Sequence, residues 1–374
     1  MFNIYLGETA EPVVLLREME MKVLLVTLHS QNNNFGSVLQ AHSLYSYLTE
    51  MGLDVTVLDY RPYYSNGARD KKSAVKKVLV NTAFLPQFIL RSRRFSNLIN
   101  GEKLTKRYTQ YSELKAAAAG FDVFMVGSDQ VWNPHYLCGK DPAYYLSFTN
   151  SPNKLSYASS IGTSSLSESE IKELIQKTSQ FKSISLRENE SVQMLHQAGD
   201  TRSQYVLDPV FLHDVGFYRA IQSKKKESGY ILAYIMQKDP FIAEVTEAIA
   251  KKLNKKVIQI GGFASKCTCD KFPRSAGPAE FLSLIDGADF VVTSSFHGTA
   301  FSHIYHKQFA VVLPKGNTLR IRNILTTAGT EDRIIRSMDD LALVDRKIDF
   351  EPVDRNINQM RERSYAFLKQ AFAQ

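Results

Sequence analysis

The stretch A-D-F-V-V-T-S-S-F-H-G-T-A-F-S-H-I-Y-H-K-Q-F-A-V-V-L, residues 288–313, decides the fold of this chain. Residues 290–292 and 309–313 are short apolar runs, which are typical of buried strands. Between them, apolar residues recur at helical spacing after three hydroxyl residues, 293–295, that suit a helix N-cap. This pattern predicts a strand, helix, strand unit, and a crossover of this length joins parallel strands.

The unit places His297 and Gly298 in the turn where the first strand ends and the helix begins. Open α/β sheets bind ligands at that edge, and the amides of a helix N-terminus suit an anion. A histidine in a turn is also commonly a plain polar surface group, and residues 293–295 can be ordinary caps. The order S-F-H-G is not the G-x-S-x-G elbow, so a serine hydrolase is not indicated.

The composition indicates an ordinary globular protein, with 374 residues for two domains and 44% hydrophobic residues. Three cysteines predict no disulfide framework, and the pair in Cys267-Thr268-Cys269 lacks the further ligands of a zinc site. We therefore expect a reducing, cytoplasmic location, no metal site and at most a magnesium held loosely on substrate. No apolar run approaches the ~20 residues of a membrane span, and residues 1–20 do not read as an export signal.

The net charge of +8 is concentrated in one segment, residues 69–107. Eleven lysines and arginines stand there against Asp70 and Glu102, a local charge of +9. The segment contains no nucleic-acid recognition motif, so we expect no nucleic-acid partner. It can lie on an anionic membrane surface or meet a diphosphate-bearing substrate, or it can be a solvated pair of helices.

The first half of the chain begins with a predicted buried strand at 22–28, a loop with Gly36, a helix and a strand at 55–58. This is a Rossmann-type start without G-x-G-x-x-G, so a dinucleotide is not indicated. The residues at the sheet edge are the first candidates for contact with a polar ligand, although a structural loop is equally consistent with the spacing. They are Asn33, Asn34, Gly36 and Ser37.

A second cluster of candidates follows the predicted strand 121–126 in the run G-S-D-Q-V-W-N-P. Ser128, Asp129 and Gln130 offer hydrogen bonds to sugar hydroxyls, and Trp132 offers a stacking face. A glycine-led turn after a strand also occurs without any ligand. A strand at 154–158 and a helix that begins with the capping-box pattern Ser167-x-x-Glu170 are predicted next, and a strand follows at 183–186. Arg187 at the end of that strand can hold a carboxylate or phosphate, or pair with Glu188 or Glu190.

The second half repeats the α/β alternation after the run at 224–229, which we interpret as a hinge, and it begins with a predicted strand at 230–235. Arg320 and Arg322 fall in the first turn of a predicted helix. We predict a first Rossmann-like domain at 21–223, which carries the basic helical insertion 69–107, and a second at 224–345. A C-terminal helix within 346–374 is expected to pack back on the first domain.

With these pieces in order, the chain resembles the polysaccharide pyruvyl transferase family over about residues 21–333. The resemblance rests on six motifs, which also occur in the order of the family. They are N-N-F-G-S-V-L-Q at 33–40, F-D-V-F-M-V-G-S-D-Q-V-W-N-P at 121–134, S-L-R-E-N-E-S at 185–191, V-L-D-P at 206–209, S-S-F-H-G-T-A-F-S at 294–302 and L-R-I-R-N-I-L at 319–325.

The resemblance implies two Rossmann-like domains facing a cleft, similar to the GT-B glycosyltransferase arrangement. It also implies transfer of a pyruvyl group from phosphoenolpyruvate to two sugar hydroxyls, with a cyclic ketal and phosphate as products and no cofactor. The arginine of the family falls on Arg187, and its histidine falls on His297, which we expect to be a general acid or base titrating near working pH. Some members have an arginine two residues before that histidine, where this chain has Ser295.

The resemblance thus divides the candidates into a donor side and an acceptor side. Ser294, Ser295 and the amides of Gly298 and Thr299 are expected on the donor side, with a missing cation supplied by Lys315, Arg320 or Arg322. The acceptor sugar, which can be linked to a lipid diphosphate, would lie on the first domain. Two alternatives stay open: a nucleotide-sugar glycosyltransferase of the same fold, and a non-catalytic protein that binds polysaccharide or a membrane surface.

Overall fold

Two parallel sheets, one in each half of the chain, form the frame of the protein. The computed structural model describes residues 21–29, 33–64, 84–163, 165–224, 227–237, 239–262, 267–316 and 318–373. The predictions for residues 1–20 and for residues 69–83 of the basic segment lie outside the described residues, as does part of the hinge. The predicted division into domains stays a prediction.

The first sheet has the strand order β2-β1-β3-β4, so β1 lies between its own crossover partner β2 and the later strand β3. Isolated parallel bridges from Leu155 to Ser183 and from Ser159 to Leu186 place β5 and its partner β6 beside this sheet. The strands are β1 Lys22–Val26, β2 Asp54–Val57, β3 Val123–Val126, β4 Lys154–Ser156, β5 Ile184–Leu186 and β6 Ser203–Tyr205. The direction of winding reverses between β1 and β3, and such a switch point opens a crevice at the carboxyl ends of the strands.

The second sheet has the order β10-β9-β7-β8 and a corresponding switch point between β7 and β9. All pairs in it are parallel, as predicted for the strand, helix, strand unit at 288–313. Its strands are β7 Tyr230–Ile235, β8 Lys256–Gly261, β9 Ala288–Thr293 and β10 Gln308–Val311. Every residue of β7 is buried because helices cover both faces of the sheet, which explains its continuous apolar run.

The helices of the described residues cover the faces of the two sheets. In chain order they are α1 Phe35–Glu50, α2 Leu85–Ile99, α3 Leu114–Ala117, α4 Glu168–Lys177, α5 Asn189–Gln197, α6 Val215–Ile221, α7 Pro240–Leu253, α8 Pro278–Gly287, α9 Phe296–Ile304, α10 Leu319–Ala328 and α11 Phe350–Ala373. The predicted capping box of Ser167 and Glu170 is formed at the start of α4. Ser295 occupies the N-cap position of α9, but its side chain makes no capping hydrogen bond, so that predicted role is wrong.

Helix α11 packs against both halves of the chain. Val353 and Ile357 lie in a core cluster with residues of the second sheet, whereas Phe367 and Leu368 lie in the core behind the first sheet. Near the end of the helix, the hydroxyl of Ser364 accepts a hydrogen bond from the amide of Leu207. One helix therefore contributes to the cores of both halves.

Helix α2 lies in the described part of the basic segment, residues 84–107. Two of its arginines point into the protein. The guanidinium of Arg91 lies 4.6 Å from the ring centre of Phe35, and Arg94 forms a 3.2 Å ion pair with Glu280 of α8. The helix thus bridges α1 of the first half and α8 of the second. On its other side Leu85, Ile89 and Leu90 are exposed.

Candidate active site

A cavity of about 610 Å³ lies between the two halves, at the switch points of both sheets. Its walls come from the loops after β1, β3, β7 and β9 and from the start of α10. The loops after β7 and β9 are joined by a 3.5 Å hydrogen bond from the amide of Met236 to Ser294 Oγ. The lining residues are Leu28, Asn34, Ser37, Tyr64, Asp129, Gln130, His135, Tyr136, Leu137, Cys138, Tyr234, Met236, Gln237, Ser294, Ser295, Phe296, His297, Pro314, Arg320 and Ile321.

Arg187 is buried beside this cavity, with 3% of its surface exposed. Its Nη1 forms a close ion pair with Asp208. Its Nη2 lies 3.7 Å from Asp129 Oδ1, and its Nε lies 3.7 Å from Glu188 Oε1. Burial alone would lower the pKa of Arg187, but these three carboxylates hold it above its usual value. Its Nε and Nη2 have no hydrogen-bond partner among the described residues, although buried donors are nearly always paired.

His297 is 6% exposed, and its Nε2 lies 3.9 Å from Asp208 Oδ1 without a hydrogen-bond partner in the described structure. Burial, opposed by the charge of Asp208 and assisted by that of Arg187, lowers the pKa of His297 to about 4. The expectation that it titrates near neutral pH is therefore wrong for the protein alone. At neutral pH the imidazole is uncharged and can accept a proton.

Gly36 makes room for this imidazole. It stands in the first turn of α1, where the side chain of Asn34 caps the helix by accepting from the amides of Gly36 and Ser37. A methyl group at Gly36 would overlap Nδ1 of His297. The contact joins a helix of the first half to a helix of the second, so the glycine has a steric role rather than a place in the cavity wall.

Arg320 reaches the cavity from the start of α10. Its Nη1 lies 3.8 Å from Asp129 Oδ1 across the cleft, and its Nε is buried with no hydrogen-bond partner among the described residues. The guanidinium groups of Arg187 and Arg320 lie 4.7 and 5.9 Å from the ring centre of Phe296. Burial, then the positive charge of Arg187, lowers the pKa of Arg320.

Asp129 holds the opposite wall in an unusual backbone conformation, with φ at 72°. Positive φ is uncommon outside glycine and often marks functional turns. Ser37 Oγ donates to Asp129 Oδ2 at 2.5 Å. Burial would raise the pKa of Asp129, but Arg187, Arg320 and the Ser37 hydroxyl keep it below its usual value, so the group is a carboxylate.

Eight of the predicted residues line the cavity. They are Asn34, Ser37, Asp129, Gln130, Ser294, Ser295, His297 and Arg320. Of the three cations considered for the position of Ser295, only Arg320 is among them. Lys315 is exposed, and Arg322 lines a different cavity.

Other predicted residues lie outside the cavity wall. Asn33 faces α2 instead of the cavity. Its side-chain amide nitrogen donates to Ser92, and its backbone carbonyl accepts from Arg91 of α2. Ser128 is fully buried and donates to Asp208. The amide of Thr299 donates to the carbonyl of Ser295, so the prediction that it binds the donor is wrong.

Gly298, the other amide predicted on the donor side, also lies outside the cavity wall. A Cβ there would overlap Thr293 Oγ1, so the glycine allows α9 to approach β9 closely.

The prediction that Trp132 offers a sugar a stacking face is also wrong. The indole is 1% exposed, with Nε1 donating to the carbonyl of Tyr144 and the ring packed against Tyr145 and Phe181. The aromatic side chain with an accessible face in this loop is Tyr136, which is 45% exposed and lines the cavity.

Sequence reasoning missed Asp208, and it named Glu188 only as one of two alternative partners of Arg187. Glu188 is buried, Ser160 Oγ donates to it at 2.5 Å, and burial raises its pKa despite the nearby Arg187. Asp208 stands three residues after the end of β6, in the motif V-L-D-P. Its position at the carboxyl end of a strand is the signal that could have identified it, as it did for Arg187.

In the part of the chain that the structure describes, no group of three or more histidine, cysteine, aspartate or glutamate residues is arranged to hold a metal ion. Among the described helices, none combines the length and apolar character needed to cross a lipid bilayer.

Comparison with known proteins connects this site to a family. A sequence model of the polysaccharide pyruvyl transferase family matches residues 34–316, well over half of the chain. A search of curated proteins gave no significant match.

Solved structures establish the fold. UDP-N-acetylglucosamine 2-epimerase from Rickettsia bellii is similar with a TM-score of 0.53 and 9% identity, covering 94% of this chain and 96% of that chain. A putative UDP-N-acetylglucosamine 2-epimerase from Listeria monocytogenes is similar with a TM-score of 0.52 and 10% identity, covering 91% and 90%. At such identities these likenesses show the fold alone, and they confirm the predicted GT-B arrangement.

Proposed function

The chain belongs to the polysaccharide pyruvyl transferase family, and we propose that it moves a pyruvyl group from phosphoenolpyruvate to two hydroxyls of a sugar acceptor. The products are a cyclic ketal and phosphate. The observation that carries the proposal is the set of buried donors beside the cavity, Nε and Nη2 of Arg187 and Nε of Arg320, which have no hydrogen-bond partners among the described residues. A small, highly charged anion such as phosphoenolpyruvate would satisfy them.

The cationic groups suit the two ends of the donor. Arg320 lines the cavity directly, and in this proposal it supplies the charge that some family members place at the position of Ser295. Arg187 lies behind Phe296 within a frame of carboxylates that fixes its orientation. A guanidinium held in this way binds a carboxylate or phosphate without losing further side-chain freedom.

The reaction needs one proton to move during each addition. The first hydroxyl oxygen bonds to C2 of phosphoenolpyruvate, its proton is lost, and C3 gains a proton to become a methyl group. The second hydroxyl oxygen then bonds to C2 as the C2–O bond to phosphate breaks, and its proton leaves with the phosphate. In this proposal neutral His297 accepts the hydroxyl proton, and Asp208, 3.9 Å away, would stabilise the resulting imidazolium.

The donor is tested by measuring thermal stability with phosphoenolpyruvate and with a nucleotide sugar. A ligand bound to the native state raises the melting temperature. We expect a rise with phosphoenolpyruvate in the wild type that is lost in Arg320→Gln and retained in Lys315→Gln, whose side chain is exposed away from the cavity. Arg187 is unsuitable for this test, because its removal would leave buried carboxylates uncompensated.

The outcomes separate the alternatives. A rise with nucleotide sugar alone would favour a glycosyltransferase of this fold. A rise with neither compound, together with no phosphate release on incubation with acceptor sugars, would favour a non-catalytic binding protein.

We propose further that the protein meets its acceptor at the anionic inner surface of a membrane, where a lipid-diphosphate-linked sugar would lie. The supporting feature is the exposed row Leu85, Ile89 and Leu90 on α2, with Arg93 exposed beside it. Co-sedimentation with phosphatidylglycerol vesicles, but not phosphatidylcholine vesicles, is expected, and Ile89→Asp should reduce it. Equal recovery of the variant would count against this location.

A further inference from the structure

A second cavity, also about 610 Å³, lies next to the central one. His135 and Tyr136 line both cavities, so the two share this loop as a wall. The other sides of the second cavity come from the loop after β4, with Thr163 and Ser165, and from the first turn of α10, with Arg322. A molecule seated against Tyr136 can therefore extend from one cavity into the other.

The second cavity has the chemistry of a carbohydrate site with a preference for negative charge. Thr163 and Ser165 supply hydroxyl groups, and Tyr136 presents an aromatic face. No acidic residue is among the described residues that line it. Arg322 is exposed there and forms no ion pair or side-chain hydrogen bond with any described residue.

A third cavity of about 650 Å³ provides the contrast. It also contains His135, but its lysines face acidic side chains, and Lys177 forms a 2.7 Å ion pair with Glu173. Its charges are thus matched within the protein. Arg322, by contrast, is a positive charge in the second cavity that has no ionic partner among the described residues.

The two arginines of α10 point to different sides of the helix. Arg320 and Arg322 stand two positions apart, and side chains at that spacing point about 200° apart around a helix. Arg320 accordingly lines the central cavity, and Arg322 lines the second. One helix turn thus offers one cation to each cavity.

We infer that the second cavity binds the acceptor unit next to the reacting sugar, and that this unit carries an anionic group, a phosphate or a uronic carboxylate. The inference rests on the proposed function in that it places the reacting sugar in the central cavity. Arg322 pairs with the anionic group, and Tyr136 stacks against the sugar ring. Arg322 is then a specificity residue for the acceptor, and it does not contact the donor.

The test measures binding of three disaccharide probes by isothermal titration calorimetry, with no donor present. The probes share one neutral sugar, and their second unit is neutral, a uronic acid or a sugar phosphate. A charge-assisted hydrogen bond predicts that at least one charged probe binds about tenfold more tightly than the neutral one. The preference should disappear in Arg322→Gln and persist in Lys315→Gln, and Tyr136→Ala should weaken all three probes.

Each outcome decides the inference independently of turnover. Preference for the phosphorylated or for the uronic probe identifies the anionic group. Equal binding of charged and neutral probes, binding of none, or a preference that survives Arg322→Gln would overturn it. Because Arg320→Gln should abolish the response to phosphoenolpyruvate while Arg322→Gln should leave it intact, failure of this inference is distinguishable from failure of the proposed function.

Discussion

At the scale of single residues, His297 is the side chain on which turnover should depend most directly. It is buried in the cavity wall with Nε2 unpaired among the described residues. Loss of a general acid or base typically costs about 10²–10⁴-fold in rate. We expect His297→Ala to reduce phosphate release by such a factor while its circular dichroism spectrum matches that of the wild type. A variant with wild-type turnover would remove His297 from the mechanism.

Two buried histidines should make stability depend on pH. Burial lowers the pKa of both His297 and His303 to about 4. In the unfolded chain a histidine titrates near ~6.5, so between these values the unfolded state binds protons that the native state does not. The free energy of unfolding therefore falls as the pH falls from about 6.5 to 4.

We expect each of these histidines to reduce the free energy of unfolding by about 2 kcal/mol between pH 7 and pH 5. Urea unfolding at the two pH values measures this change. In His303→Gln the free energy of unfolding should fall by less between pH 7 and pH 5 than in the wild type, because one of the two titrating histidines is gone. His303 lies in the core, where its Nε2 contacts Thr330. An unchanged loss in that variant would contradict the assignment.

Trp132 should matter for stability and not for acceptor binding. Its indole fills the core between Tyr145 and Phe181. Replacing a buried large aromatic residue by alanine commonly costs about 3–5 kcal/mol. We expect Trp132→Phe to lose part of this stability in urea unfolding and to keep the wild-type acceptor KM. A raised acceptor KM with unchanged stability would restore the stacking role.

At the scale of secondary-structure elements, two glycines at the ends of helix α1 have different tasks. Gly36 in its first turn makes room for His297, whereas Gly52 just beyond its end has φ at 84° and open space where a methyl group would stand. We expect Gly36→Ala to displace His297 and lower turnover strongly. Gly52→Ala should instead lower the melting temperature, because alanine is strained at positive φ, and leave KM and kcat near wild type. Equal effects on activity would argue against the steric role of Gly36.

The strands and helices of this fold were largely predictable from local patterns. The continuous apolar run at 230–235 predicted β7 to the residue because a central parallel strand is buried on both faces. The capping box at Ser167 likewise depends on neighbours three positions apart. The capping role of the Ser295 side chain was predicted wrongly, because a hydroxyl at the N-cap position of the sequence does not determine whether its side chain bonds to the amides of the helix.

The site was predictable only where position along a strand determines it. His297, Arg187 and Asp129 became candidates because each follows a strand at the sheet edge, and the structure places His297 and Asp129 in the cavity wall. The pairing of Arg187 with Asp208, and the burial of Trp132, depend on segments that meet only in the folded chain. No local pattern reports which side of a turn faces the core.

At the scale of the whole molecule, polar contacts tie the two halves together on one side of the cleft. The side chain of Asn323 on α10 accepts from the amide of Asn189 at 2.8 Å and donates to Glu190. It thereby caps α5, which has no capping side chain of its own. Tyr205 and Thr327 form a second contact, at 2.7 Å.

We expect Asn323→Ala to lower the free energy of unfolding by about 1–2 kcal/mol, the usual cost of a lost cap. Amide hydrogen exchange should quicken at the start of α5. Thr326→Ala, an exposed neighbour on the same helix, serves as the control. Unchanged exchange in Asn323→Ala would mean that the contact does not hold the halves together.

The course of α11 also bears on how the protein is made. Val23 and Leu25 of the first strand share a core with Phe367 and Leu368. On the ribosome, β1 therefore waits for residues translated more than three hundred positions later, and until then its apolar face is covered only in part, by α1. Biosynthesis of this protein thus passes through a long interval in which a half-covered sheet needs protection from self-association.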